Sequence, residues 1–427
     1  MRKNWLKNIF SSELIRNSSI LVSGNAVGQA VALLVYPILS RIYSDADFGV
    51  FALFSSVVGI LCILSTGKYE EAFVLTKDKK ESTALLGFLF RLLFGFCAIL
   101  FLFLFFFRSA SFSLLNMESL TDYWYMIPLT IFATGIFATL GGVSNKEKRY
   151  KIIASSNVTF NLLSSALRIG LRYITPNAMG LISGQLIAQV LSCFSFYKLK
   201  SNIQNAILKV KWREMLECAK RFIAFPKYNL PQNFINYFST NLPFFFLAGI
   251  FGEAKLGLFF LAFNVSFRPI NLLSASMYQV LFEKATSLTY EKQKISFLFN
   301  VYWKNNFLFI LPFFILAFLL APLLFKFIFG TEWEESGNYF RYILPWMFIV
   351  LCTSPMGFLP LLFNKQKIAM WFEVAYFLIR CLGLYIGIYL NSFNLAILLF
   401  SAVGFIFLVV KLIWFKYLIK QYDTGLY

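Results

Sequence analysis

The sequence contains no histidine, and it is poor in charge: only 14% of its 427 residues are Asp, Glu, Lys or Arg. The absence of histidine excludes general-base catalysis by imidazole and metal sites built on imidazole ligands. The six cysteines are widely spaced and form no Cys-x-x-Cys pair, which excludes the usual zinc-site and disulfide patterns. The sequence therefore predicts neither a bound metal nor a cofactor.

Apolar residues take the place of the missing charges: they make up 59% of the chain, and the mean hydropathy is +0.69. A membrane-spanning helix needs about 20 mostly apolar residues, and twelve segments meet this requirement. The longest polar stretch is 198–227, which is too short for a soluble domain. The expected fold is an all-α polytopic membrane protein. Its twelve expected spans are 18–39, 48–67, 83–107, 123–143, 152–172, 178–197, 229–250, 256–282, 297–329, 342–363, 368–390 and 394–415.

The remaining charge is strongly basic, with 39 Lys and Arg against 20 Asp and Glu. Such an excess indicates either a nucleic-acid partner or an asymmetry between the loops on the two sides of a membrane. Alternate loops carry 28 and 5 basic residues, and cytoplasmic loops are the ones that collect Lys and Arg. We therefore expect a multi-pass protein of the bacterial inner membrane with both termini in the cytoplasm, and no nucleic-acid partner.

A short internal echo predicts two halves. Residues 45–53 (DADFGVFAL) reappear 208 positions later as residues 253–261 (EAKLGLFFL). Acidic side chains stabilise a helix N-terminus and glycine permits close packing, so we assign the echo to helix entry and packing. The signature residues are Asp45, Asp47, Phe48, Gly49, Glu253 and Gly257. The expected organisation is an amphipathic cytoplasmic helix (1–17), a six-helix bundle (18–197), a cytoplasmic linker (198–227), a second pseudo-symmetric six-helix bundle (228–415) and a cytoplasmic tail (416–427).

The first copy of this echo also carries a family resemblance. Residues 41–53 (RIYSDADFGVFAL) and 68–72 (KYEEA) resemble the N-terminal signature of the Wzx-type polysaccharide flippases, which translocate O-antigen or capsule repeat units and belong to the MOP superfamily. The resemblance implies two six-helix bundles around a central cavity and an undecaprenyl-pyrophosphate-linked oligosaccharide as cargo. It implies no catalysis, and besides membrane lipids it allows a polysaccharide polymerase and a chain-length regulator as partners.

Basic residues inside the expected spans are the candidate cargo ligands, because a buried cation is costly and usually faces a cavity or a partner. The six are Arg91, Arg168, Arg268, Lys304, Lys326 and Arg380. Arg168 and Lys326 lie near span ends, where they can snorkel to the interface. Arg380 has the alternative of pairing with Glu373, which is seven positions away. We therefore take Arg91, Arg268, Arg380 and Lys304 as candidates for binding the cargo anion.

Polar residues near prolines extend this candidate site. Asn233, Asn236 and Asn264 lie in two neighbouring spans that also contain Pro243 and Pro269. Carboxamides bind sugar hydroxyls, but they also hold helices together.

Other functions remain open at this level. One is a multidrug or ion antiporter of the same superfamily, although the first-half spans hold no deep acid. A lipid II flippase is another, and a polytopic polysaccharide polymerase is less favoured.

Overall fold

A computed structural model describes residues 13–175, 177–199, 203–206 and 210–425, with the side chains of residues 13–22 and 198 left out. The described residues form helices and contain no β-strand. The expected amphipathic helix at 1–17 lies mostly outside the described residues. The chain divides into two compact units, Met1–Gly249 and Ile250–Tyr427.

The helices of the first unit are long and mostly apolar. They are α1 (Glu13–Ile42), α2 (Asp45–Thr66), α3 (Lys79–Leu114), α4 (Met126–Lys146), α5 (Tyr150–Leu171), α6 (Met179–Cys193), α7 (Trp212–Arg221) and α8 (Leu230–Phe251). A buried cluster joins α3 and α4 to the linker, and it includes Leu85, Leu140 and Phe222. The linker region therefore contains a helix, α7, that packs on α3.

The second unit is built in the same way. Its helices are α9 (Glu253–Tyr290), α10 (Ser296–Asn305), α11 (Leu311–Phe329), α12 (Glu334–Thr353), the short α13 (Leu359–Leu362), α14 (Gln366–Tyr389) and α15 (Phe393–Asp423). A π-helical turn, Asn306–Ile310, joins α10 to α11. Phe299, Phe348 and Phe415 bring α10, α12 and α15 into one buried cluster.

The expected membrane-spanning character is confirmed. Eleven helices of the described residues are long and apolar enough to cross a membrane, and they coincide with eleven of the twelve predicted segments. They are Ser23–Ile42, Asp45–Thr66, Lys79–Leu114, Met126–Lys146, Met179–Tyr197, Phe225–Phe251, Glu253–Tyr290, Ser296–Phe329, Thr331–Leu362, Gln366–Tyr389 and Phe393–Asp423.

The one remaining predicted segment, 152–172, forms helix α5, but this helix is more polar than the other eleven. Its 22 residues give a length of ~33 Å, which is enough to cross the hydrocarbon core. Three buried serines, Ser156, Ser164 and Ser165, and two asparagines, Asn157 and Asn161, lower its hydropathy. The helix is accommodated by packing, because it contacts α1 and α6 closely along its length.

Helix α15 runs past position 415, where we expected the tail to begin. Leu418 and Ile419 are buried in its last turns. The Asp423 carboxylate accepts hydrogen bonds from the backbone amides of Ile295, at 2.8 Å, and Ser296, at 3.1 Å. These contacts cap the start of α10, so residues 416–423 form part of the packed second unit.

Candidate functional site

The signature residues of the echo lie at helix entries. Asp45 is the first residue of α2, and Ser44 caps that helix: the Asp47 amide donates to Ser44 Oγ, and the Ser44 amide donates to the Asp47 carboxylate. Phe48 and Gly49 are buried in the next positions. In the second copy Glu253 is the first residue of α9, and Gly257 is buried in its second turn.

Helix α9 presents a row of polar side chains that includes two predicted site residues. Asn264, Arg268 and Asn271 are spaced by four and three positions, which places them on one face of the helix. Arg268 Nε donates a hydrogen bond to Asn264 Oδ1 at 3.1 Å. Because a carboxamide is neutral, this bond orients the guanidinium without cancelling its charge. Both side chains are half-buried, and Asn271 is exposed.

The two asparagines predicted on α8 differ in their surroundings. Asn233 Nδ2 donates to the carbonyl of Asn229 at 2.9 Å, so its amide group is bound to its own helix. The side chain of Asn236 is exposed, and the backbone carbonyl of Asn236 accepts a hydrogen bond from Thr240. Of the two, Asn236 is the better placed to contact a ligand.

Arg91 and Lys304 are on other helices than the polar row of α9. Arg91, in the first unit, packs against the linker helix α7: its Nη1 donates to Met215 Sδ, and its guanidinium lies 5.9 Å from the centroid of the Trp212 ring. Lys304 is exposed in the last turn of α10, directly before the π-helical turn. Arg91 therefore has contacts that the sequence did not predict.

Arg380 occupies an enclosed aromatic site. Its side chain is only 1% exposed, and the guanidinium lies 4.3 Å from the ring centroids of Trp346 and Tyr376 and 4.2 Å from that of Phe400. In the described part of the chain, neither Nε nor Nη2 has a hydrogen-bond acceptor. This enclosure differs from the open cavity position that the sequence suggested.

The alternative interpretation of Arg380, an ion pair with Glu373 on the same helix, is not what the structure shows. The Glu373 carboxylate instead binds Lys411 Nζ on α15, at 2.6 Å. The physical reason is tertiary: α14 packs along α15, which brings Lys411 to Glu373 and leaves the Arg380 guanidinium between aromatic rings.

Arg168 forms an arrangement that sequence reasoning missed. It was expected to snorkel, but its Nη2 donates to Gln185 Oε1 at 2.9 Å, and its guanidinium lies 4.6 Å from the centroid of the Phe51 ring. Each unit thus holds an arginine whose guanidinium donates to a carboxamide. The unusual polarity of α5 was the available signal. Lys326, the other expected snorkelling residue, is exposed and pairs with Glu334 at 2.8 Å.

Comparison with solved structures places this fold among known transporters. The lipid II flippase MurJ, in an inward closed conformation, matches with a TM-score of 0.71 and 13% identity over 96% of this chain and 90% of that protein. An inward-facing multidrug resistance MATE transporter of the MOP superfamily matches with a TM-score of 0.63 and 12% identity, over 97% and 99% of the two chains. An outward-facing MATE transporter gives 0.56 and 12% identity, covering 96% of each chain.

The sequence itself identifies the family. No curated protein matches the chain in sequence. The profile of the family described as polysaccharide biosynthesis protein matches residues 38–338, which span both copies of the echo and most of the chain. The resemblance noted in residues 41–53 is confirmed at the level of this family, and the solved structures show that the fold is shared with MOP superfamily transporters. The chain belongs to the polysaccharide biosynthesis protein family.

Proposed function

We propose that this protein is a flippase that moves an undecaprenyl-pyrophosphate-linked oligosaccharide repeat unit from the cytoplasmic to the outer leaflet of the bacterial inner membrane. The family supplies the link to polysaccharide biosynthesis, and the fold is one used by transporters. In this proposal both termini are cytoplasmic, and the protein acts by alternating access rather than by catalysis. A polymerase and a chain-length regulator would act on the translocated product.

The observation that carries the proposal is the Arg268–Asn264 pair on α9. A pyrophosphate cannot enter hydrocarbon without groups that replace its hydration, and a guanidinium can bind its oxygens through two parallel hydrogen bonds. At ~4 Å and an effective dielectric constant near 20, one such contact supplies about 4 kcal/mol before desolvation is subtracted. The Asn264 bond orients Arg268, and the exposed Asn271 extends the polar face of the same helix.

The acids of the first unit give little support to the alternative that the protein is an antiporter. Asp47 caps α2, and Glu70 and Glu71 belong to the short helical segment after it, Tyr69–Leu75, where both lie near Lys68. Burial opposes the charge of Lys68, but Glu70 and Glu71 outweigh this effect and raise its pKa. These acids are at helix ends and already have basic or backbone partners, whereas coupling to protons or ions would need an acid at depth.

The test is surface polysaccharide in a flippase-null strain, normalised to the amount of protein in the membrane. Arg268→Ala should insert normally but prevent the glycan from appearing. Arg268→Lys should rescue in part, because an ammonium lacks the planar fork, and Arg268→Glu should be the most defective because it repels the anion. Lys326→Ala, which removes an exposed cation from the second unit, is the matched control and should behave as wild type. Wild-type glycan with both the Ala and the Glu variants at position 268 would refute the assignment.

A further inference from the structure

An arginine lies over a tryptophan at each end of the apolar run of α3. The guanidinium of Arg91 is 5.9 Å from the centroid of Trp212, and that of Arg108 is 5.5 Å from the centroid of Trp124. Arg91 is exposed and Arg108 is half-buried, and the 17 positions between them correspond to ~26 Å along the helix, close to the ~30 Å of a hydrocarbon core. Phe94 and most of the apolar residues between them are exposed. The two pairs therefore mark the two membrane interfaces of the first unit.

The Arg91 end of α3 coincides with the amphipathic helix α7. One side of α7 is buried through Met215, Cys218 and Ala219. At 100° per residue, Trp212 and Leu216 form the adjacent stripe, and they are 54% and 37% exposed. Beyond this stripe lie the exposed Arg213 and Lys220, and the exposed Ile223 follows the helix end. An apolar stripe edged by cations, beside a membrane interface, is the pattern of a helix that lies in the headgroup region.

Ion pairs fix α7 on α3 and occupy its acids. Glu214 binds Lys80 at 2.9 Å, and this hydrogen bond lowers the pKa of the Glu214 carboxyl. In a second ion pair between the two helices, Arg221 of α7 binds Glu81 of α3. On the helix itself Glu217 is paired with Arg213 at 3.1 Å.

The same contact buries one flank of the helix and leaves the other basic. Burial raises the pKa of the Cys218 thiol to about 11, as expected for a side chain enclosed between the two helices. Residues 211–221 carry four cations and only two acids, so the face that remains is apolar and positively charged.

We propose that this face, formed by Trp212, Leu216, Lys220 and Arg91, docks on anionic phospholipid headgroups of the leaflet that borders the basic loops. Trp212 and Leu216 enter the boundary of the acyl chains, where an exposed indole and an exposed leucine are more stable than in water. Lys220 and Arg91 lie at the level of the phosphates. The complementary charge commits the partner to an anionic lipid such as phosphatidylglycerol rather than a zwitterionic one.

The experiment titrates the full chain in detergent with phosphatidylglycerol and with phosphatidylcholine, and counts bound lipids by native mass spectrometry. The wild type should prefer phosphatidylglycerol. A surface cation near an anionic leaflet is worth ~1 kcal/mol, so Lys220→Gln should reduce the preference about five-fold and the Arg91→Gln/Lys220→Gln pair about 25-fold. Arg108 forms the same type of arginine–tryptophan pair at the other end of α3. Arg108→Gln is therefore the matched control and should leave the preference unchanged.

The outcomes separate this surface from general basicity and from cargo binding. Lys220 is exposed, so its replacement does not disturb folding and its result stands even if Arg91→Gln lowers the yield. An unchanged preference in Lys220→Gln, or an equal loss in Arg108→Gln, overturns the proposal. A third outcome also overturns the proposal: undecaprenyl phosphate displaces phosphatidylglycerol, and Lys220→Gln weakens the binding of undecaprenyl phosphate but not that of phosphatidylglycerol. The surface would then bind the carrier lipid of the cargo.

Discussion

Replacing Arg380 tests whether its buried guanidinium holds helices together or contacts a ligand. Three aromatic rings from α12, α14 and α15 lie 4.2–4.3 Å from it. A desolvated cation–π contact is worth ~2 kcal/mol, so three give roughly 6 kcal/mol. Removing the cation from water costs several kcal/mol, which is of similar size. We therefore expect the charge itself to contribute little net stability, and the volume of the side chain to matter more.

The substitutions follow from this balance. Arg380→Met keeps an unbranched side chain of similar length between the rings and removes the buried charge, so it should change stability by less than ~1.5 kcal/mol. Arg380→Ala leaves a void where three helices meet and should cost about 2–5 kcal/mol. Arg380→Lys retains a charge without the flat face that stacks on the rings, and it should be less stable than Arg380→Met.

The assay is the thermal midpoint of the purified protein in detergent, measured beside surface glycan per folded protein. For a unit of this size a loss of ~3 kcal/mol lowers the midpoint by roughly 6–12 °C. We expect Arg380→Ala to show this loss and Arg380→Met to keep both midpoint and glycan. Lys326→Met, at an exposed site, controls for the loss of a cation. A Met variant with a normal midpoint and no glycan would refute the packing role and return Arg380 to the cargo or to the transport cycle.

Three further expectations concern topology and packing. A cysteine at the exposed Ser113 should react with an impermeant thiol reagent in intact cells, whereas one at the exposed Gln293 should not; the reverse pattern would invert the orientation. A Cβ at Gly59 would overlap the Tyr237 hydroxyl, so Gly59→Ala should destabilise the protein by ~1–3 kcal/mol. Tyr237→Phe should relieve part of that loss, and an unchanged thermal midpoint in Gly59→Ala would contradict this contact. Asp423→Ala removes the acceptor of two backbone amides at the start of α10 and should cost ~1–2 kcal/mol in the same assay, while a midpoint equal to wild type would show that the cap is unimportant.

The sequence alone determined the fold class and the span positions, because a bilayer imposes one requirement, about 20 apolar residues, that can be read locally. Eleven predicted spans coincide with the apolar helices of the structure. Helix α5 shows the limit of this rule: its serines and asparagines lower its hydropathy, and only contact with α1 and α6 explains how it is accommodated. The echo around Gly49 and Gly257 was likewise visible in the sequence, since helix entry depends on neighbouring residues.

The surroundings of the buried cations were decided by tertiary structure. Sequence spacing allowed Arg380 to pair with Glu373 because they share a helix, but Lys411, on another helix, binds that carboxylate. Arg168 stacks on Phe51 and binds Gln185, both contributed by other helices. The Arg268–Asn264 bond lies within four residues of one helix, so local spacing placed both of its members on one face. Partners on the same helix follow from a period of 3.6 residues, whereas partners on other helices depend on packing that no single segment encodes.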